Sequence, residues 1–298
     1  MFIDIHVHTR FVPVMPRPDG STYASPDELE KFYQEVGIEK AVVLPGLSGV
    51  CSRGGQSIEE LVQMAKTRYP WMIPYCNIAP QMVDNSAYTD GMERLVRYYK
   101  SIGCKGVGEV CTNLWFDDPL MLNLFAACEE YDMPVTFHIS IRPGFSYGIA
   151  DNEGLLRLEL VLKLFRNLTF LGHSQAFWAE IAPIKSEQDR LGYPKGKIDK
   201  EGRLPFLMRK YPNLHGDLSA GSGCNALMRD REYAAKFMTE FQDQLYFGTD
   251  ICSIRNFDFA RDYIRFLLEM RDNGEITTEV FEKIARGNAR KLFGIEDA

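Results

Sequence analysis

No apolar run in this 298-residue chain approaches the roughly 20 residues that span a bilayer, so the sequence offers no membrane-spanning helix. Residues 1–20 also lack the apolar core of a secretory signal, and the expected compartment is the cytoplasm. Net positive charge is missing as well. A formal charge of −7 and a pI near 5.4 argue against a nucleic-acid or other polyanionic partner, although local arginines can still hold a small anion. There is no Cys-x-x-Cys pair. The seven cysteines, at positions 51, 76, 104, 111, 128, 224 and 252, are scattered and odd in number, which excludes a disulfide framework and a zinc finger and leaves buried free thiols. No linker, repeat array or low-complexity tract divides the chain, so residues 1–298 read as one domain whose 45% hydrophobic content is ample for a core.

What is present is an alternation of short apolar runs and helical patterns. The opening Phe2-Ile-Asp-Ile-His6-Val-His8 reads as a strand, and Lys40–Leu44, Met72–Ile78, Cys104–Val110, Pro134–Ile139, Thr169–His173, Asn213–Leu218 and Leu245–Asp250 follow as seven more. Helical stretches separate them. Ser25-Pro26-Asp27-Glu28 opens the first, which Gly37 ends, and Ser57-Ile-Glu-Glu60 is a capping box for the second. Further helices are expected near 91–102, 118–131, 153–166, 203–211, 225–242, 258–271 and 277–293. Eight strands, each followed by a helix, predict an α/β fold of the parallel (β/α)8 TIM-barrel type. An open doubly wound sheet is the alternative, but no Gly-x-Gly-x-x-Gly turn follows the first strand. The long charged stretch 181–203 is expected as a loop insertion, either a solvated excursion or a lid or oligomer contact.

Histidine is scarce, and its placement is informative. In a barrel the C-terminal strand ends face the active site. His6 and His8 end strand one, Glu109 strand four, His138 strand five, His173 strand six and Asp250 strand eight, so four of the five histidines in the chain sit at strand ends. His6 and His8 share one face of their strand, about 6.6 Å apart at a rise near 3.3 Å per residue, close enough to converge on one ion. So many imidazoles beside two carboxylates suit a borderline divalent ion, Zn²⁺ first. Strand parity aligns Glu109 with Val107 and Lys105 without saying which face turns inward. His215, inside strand seven beside Asp217, is assigned a structural role.

On these residues the sequence resembles the amidohydrolase superfamily, in its amidohydrolase 2 branch, over essentially the whole chain. The likeness rests on Asp4-Ile-His6-Val-His8, Thr-Phe-His138, Leu-Gly-His173, Phe-Gly-Thr-Asp250 and the closing Ile284-Ala-Arg-Gly-Asn-Ala289. It implies His6, His8, His138 and Asp250 as metal ligands, and His173 as a second-metal ligand or a proton-handling, substrate-polarising residue. Val-Gly-Glu109 departs from the branch and resembles the strand-four glutamate of TatD-type hydrolases, where that residue bridges two metals. One or two ions are therefore expected.

The branch holds hydrolases, lactonases and nonoxidative decarboxylases, so membership does not name the reaction. The leading expectation is a metal-dependent hydrolase: water acidified by the ion attacks an ester, lactone or amide carbon, with Asp250 as base and His173 polarising the carbonyl or holding a second ion. Arg10, Arg142 and Arg255 follow strands one, five and eight and are candidates to hold an anionic small-molecule substrate. Trp115, Phe145 and Trp178 are candidates for an apolar wall. The alternatives are a mononuclear nonoxidative decarboxylase of a small carboxylic acid, in which Asp250 protonates carbon, and a barrel that binds ligand without turnover. A homo-oligomer is compatible with either.

Overall fold

Short apolar runs form eight strands in the computed structural model, which describes residues 1–46, 55–83 and 90–296. They are β1 (Phe2–Val7), β2 (Ile38–Val43), β3 (Met72–Pro74), β4 (Val107–Val110), β5 (Val135–Ser140), β6 (Phe170–His173), β7 (Leu214–Asp217) and β8 (Leu245–Tyr246). All pair in parallel, in two ladders, β1-β2-β3 and β4 through β8. Backbone hydrogen bonds carry the sheet across both gaps. Cys76 N donates to Gly106 O at 3.0 Å and Gly108 N to Cys76 O at 2.8 Å, while Ile5 N donates to Phe247 O at 3.0 Å and Asp250 N to His6 O at 2.7 Å. The result is the (β/α)8 barrel. A two-residue strand, Ile149–Ala150, lies beside the end of β5.

Most helices start within a residue or so of where the sequence predicts, the exceptions being those that begin at Leu156 and Ala220 in place of 153 and 225. At α1 (Pro26–Val36) Ser25 and Glu28 form the full capping box and Gly37 ends the helix at φ 78°. At α2 (Ile58–Thr67) the box is only half formed: Ser57 accepts from Glu60 N, but the Glu60 carboxylate accepts from Gln56 Nε2 at 2.7 Å instead of turning back to the cap. The next helices are α3 (Gly91–Ile102), α4 (Pro119–Glu130), α5 (Leu156–Leu164) and α6 (Arg203–Lys210). The helix expected over 225–242 is two, α7 (Ala220–Met228) and α8 (Arg231–Glu240), because Asp230 caps a fresh N-terminus by accepting from Tyr233 N at 3.2 Å. Then come α9 (Phe257–Asp272) and the terminal helical stretch from Thr278 to Phe293, which passes through a π turn at Lys283–Gly287.

Two apolar layers hold the frame. Inside the barrel, Ile3, Ile5, Val42, Leu44, Ile73, Tyr75, Leu171 and Tyr246 form one cluster, plugged by Ala289 and Phe293 of the terminal helix. Between sheet and helices, Phe137 meets Phe116 and Phe177 edge-on and Phe125 meets Phe170 in the same way. Two strands are irregular near their C-terminal ends. From Asp4 to Val7, β1 advances three residues while β2 advances two, and β4 does the same against β5 from Val107 to Val110. The extra residue in β1 lets Ile5 stay in the apolar interior while His6 and His8 also turn inward.

The insertion 181–203 is at least partly exposed over most of its length but is tied down at several points. Its helix Glu187–Leu191 packs with Arg190 buried against Glu180 at 3.3 Å, Gly202 N donates to Ile181 O at 2.9 Å, and Ile198 N donates to Asp230 Oδ2 at 2.8 Å. Asp230 thus caps α8 and anchors the insertion at once. Asp230→Ala is expected to lower stability by about 1–2 kcal/mol in urea denaturation and to speed tryptic cleavage at Lys195, Lys197 and Lys200. An unchanged midpoint and cleavage rate would show that the anchor contributes nothing.

Candidate metal centre

The strand ends converge. His6 and His8 Nε2 atoms lie 3.1 Å apart, and Asp250 Oδ1 is 3.5 Å from each. Glu109 Oε2 is 3.6 Å from His8 Nε2 and 4.0 Å from His6 Nε2, while its Oε1 is 4.0 Å from His173 Nε2. Among the described residues two donor groups can each share an ion: His6, His8 and Asp250, and His6, Glu109 and His173. His138 belongs to neither. It stands at the edge of the cluster, its ring 5.6 Å from that of His173 and tilted against that of Tyr147 at 4.3 Å.

The outer nitrogens decide what the inner ones present. His6 Nδ1 lies 2.6 Å from Asp217 Oδ2 and His8 Nδ1 lies 3.0 Å from the carbonyl oxygen of Leu44, both acceptors. Each Nδ1 therefore donates, and each Nε2 turns its lone pair toward the other. Two lone pairs 3.1 Å apart repel unless positive charge sits between them. Burial opposes a proton there, yet the carboxylates of Asp217, Asp250 and Glu109 push the His6 imidazole up to about 10. Burial works against the Glu109 charge too, but His8, His138, His6 and His173 hold its carboxyl well below the usual range. Burial also pushes His138 down to about 4, which leaves a neutral imidazole whose buried Nδ1 has no hydrogen-bond partner among the described residues. Facing lone pairs, an orphaned imidazole nitrogen and nearby carboxylates fit a divalent cation with a taste for nitrogen.

Asp217 is the residue touching the cluster that strand-end reasoning passed over. It closes β7 as Leu-His-Gly-Asp, the same signal that marks Asp250, and it is fully buried. Besides holding His6, its Oδ2 lies 3.5 Å from His173 Nδ1, which also meets Ser219 Oγ at 3.0 Å. Asp4 supports the ring from below: Oδ1 accepts from His6 N and Thr249 N, and Oδ2 from Thr249 Oγ1 and Tyr33 OH. His215 lies apart, between Tyr246 OH and the Pro212 carbonyl.

A cavity of about 830 Å³ opens above the cluster, with His8, Glu109 and Asp250 at its floor and Arg17, Tyr23, Asn113, Phe145 and Tyr147 in its wall. None of the three arginines expected there lines it. Arg10 is buried, stacked on Tyr23 and donating to Thr9 O, Arg142 pairs with Glu187 at 2.9 Å, and Arg255 pairs with Asp19 at 2.9 Å. Each of the last two met an acid supplied by another loop, which spacing from a strand end does not reveal. Arg17 lines the cavity instead, with its guanidinium over the Tyr23 ring at 4.5 Å and no carboxylate within ion-pair distance among the described residues. Phe145 reaches the cavity, whereas Trp178 is buried with Nε1 donating to Asp217 O and Trp115 lies under Arg157. Cys111 and Cys252 line the wall, and Cys51 falls outside the described residues.

Solved structures with this fold are many. An uncharacterised TIM-barrel protein of Bordetella bronchiseptica superposes with a TM-score of 0.66 at 20% identity, covering 98% of both chains. The 5-carboxyvanillate decarboxylase of Sphingomonas paucimobilis gives 0.63 at 15% identity over 99% of both. A Burkholderia multivorans amidohydrolase with bound zinc gives 0.63 at 11% identity, over 99% of this chain and 100% of that one. No curated protein matches the sequence. The sequence profile of the amidohydrolase family Amidohydro_2 matches residues 3–295, nearly from end to end, and the chain belongs to that family.

Proposed function

We propose that this protein is a metal-dependent hydrolase of a small anionic ester, lactone or amide. The reading is carried by Glu109, whose two carboxylate oxygens face the two halves of the cluster, Oε2 toward His6 and His8 and Oε1 toward His173. One carboxylate addressing two sets of imidazoles suits a pair of ions: His6, His8 and Asp250 would hold one and Glu109 and His173 the other, with His6 in reach of both. When bound, such ions acidify water and polarise a substrate oxygen.

The chain's own residues supply the rest. Asp250 is the acid of the cluster most open to the cavity, and it accepts the proton of the attacking water and returns it to the leaving group. Arg17 meets the substrate's anionic group from the wall, and Phe145, Tyr147 and Tyr23 shield the reacting centre from bulk water. A nonoxidative decarboxylase is the second reading. It is favoured by the His6, His8 and Asp250 group, which suffices for one ion, and by the likeness in fold to a decarboxylase.

Metal analysis of zinc-replete protein separates the two. Two ions per chain are expected, with Glu109→Ala retaining one or none; a single ion unaffected by that substitution removes the support for hydrolysis. Asp250→Asn is expected to lower hydrolytic kcat by about 10²–10⁴-fold while metal is retained. Release of CO₂ from a carboxylic acid at a rate above ester or lactone cleavage would decide for the decarboxylase. Arg17→Met is expected to raise KM for anionic substrates by about 10–100-fold, with kcat nearly unchanged and neutral substrates unaffected.

A further inference from the structure

Helix α5 is apolar on two faces. Its sequence Leu156-Arg-Leu-Glu-Leu-Val-Leu-Lys-Leu164 buries Leu158, Val161 and Leu162 against the barrel, as an outer helix should. Yet Leu156, Leu160 and Leu164 stand 57%, 44% and 54% exposed. Spaced by four, they form one stripe along the outer side of the helix. The stripe has a neighbour. Glu159 accepts from Lys210 Nζ and Tyr211 OH and pairs with Arg203, which sets α6 beside α5, and α6 presents Phe206 at 45% exposure. Isolated exposed leucines need no explanation, but three in register beside a phenylalanine are the pattern of a surface meant to be covered.

We propose that this face is the interface of a homodimer, with α5 of one copy packed antiparallel on α5 of the other about a two-fold axis at Leu160. Charge selects a second copy and its direction. Glu153 lies just before the helix, and Lys163 and Arg166 lie at its end. Among the described residues none of the three has an ion-pair partner within its own chain. Antiparallel packing about Leu160 brings Leu156 of one copy onto Leu164 of the other, and Glu153 of one copy toward Lys163 and Arg166 of the other. Parallel packing would set like charge against like. The stripe is thus complementary to itself under a two-fold, which is the condition for a closed, isologous contact. None of these residues lines the cavity, so the dimer leaves the metal centre open.

The test is the solution mass of the full chain by size-exclusion chromatography with light scattering. Wild type is expected at twice the 34.1 kDa chain mass. Leu160→Glu, which places two carboxylates on the axis, is expected at the single-chain mass with an unchanged circular dichroism spectrum. Should that variant aggregate, Leu160→Cys serves in its place: mild oxidation is expected to give a covalent dimer on non-reducing gels that wild type does not give. A monomeric wild type, a dimer whose mass Leu160→Glu leaves intact, or a Leu160→Cys variant that never cross-links would each overturn the proposal, the first also being the result if another protein covers the face.

Discussion

The contact on which the centre depends is the 2.6 Å hydrogen bond between His6 Nδ1 and Asp217 Oδ2. It fixes which imidazole nitrogen carries hydrogen, and through that it fixes where the lone pair of His6 Nε2 points. Because His6 belongs to both donor groups, one carboxylate from β7 orients the whole cluster. Asp217 is in turn held by its own strand end, where it accepts from Ser219 N at 3.0 Å and its carbonyl accepts from Trp178 Nε1. The chemistry at the mouth is therefore braced by a buried polar layer, and that layer sits on the apolar plug below it.

Both departures from regular strand geometry serve this layer. A regular β1 that buried Ile3 and Ile5 in the barrel would turn His6 outward, since side chains alternate. The extra residue between Asp4 and Val7 resolves the conflict. In β4 the same device sits next to Gly108, where a Cβ would meet Thr136 O at 2.7 Å and φ is 157°, so glycine is required for Glu109 to approach β5 this closely.

The barrel was legible because it rests on signals that repeat: eight apolar runs, caps at Ser25 and Ser57, and glycine stops. The positions of His6, His8, Glu109, His173 and Asp250 were legible for the same reason, since the fold assigns a common direction to every strand end. The facing of Glu109 was not, because parity along β4 fails where the strand bulges. Nor were the arginines. Whether Arg142 or Arg255 reaches the cavity depends on Glu187 and Asp19, acids brought from distant loops, and Arg17 reaches it from the long connection after β1 that carries no periodic signal. The split between α7 and α8 was hidden too, because Asp230 reads as an ordinary polar helix position until Ile198 is seen to bind it.

Charge balance joins the metal centre to the cavity above it. Asp217, Glu109 and Asp250 bring three carboxylates to imidazoles that are neutral when they ligate a metal. One divalent ion leaves that set negative and would repel an anionic substrate from the floor of the cavity. Two ions leave it positive. Arg17, which lines the same space and forms no ion pair among the described residues, would add to that positive field. A site that binds two ions and an anion is consistent in sign from floor to wall, whereas a site with one ion must rely on Arg17 and direct chelation of the substrate to overcome its own charge. On the proposed reading, occupancy of the Glu109 side of the cluster would set substrate charge as well as reaction type.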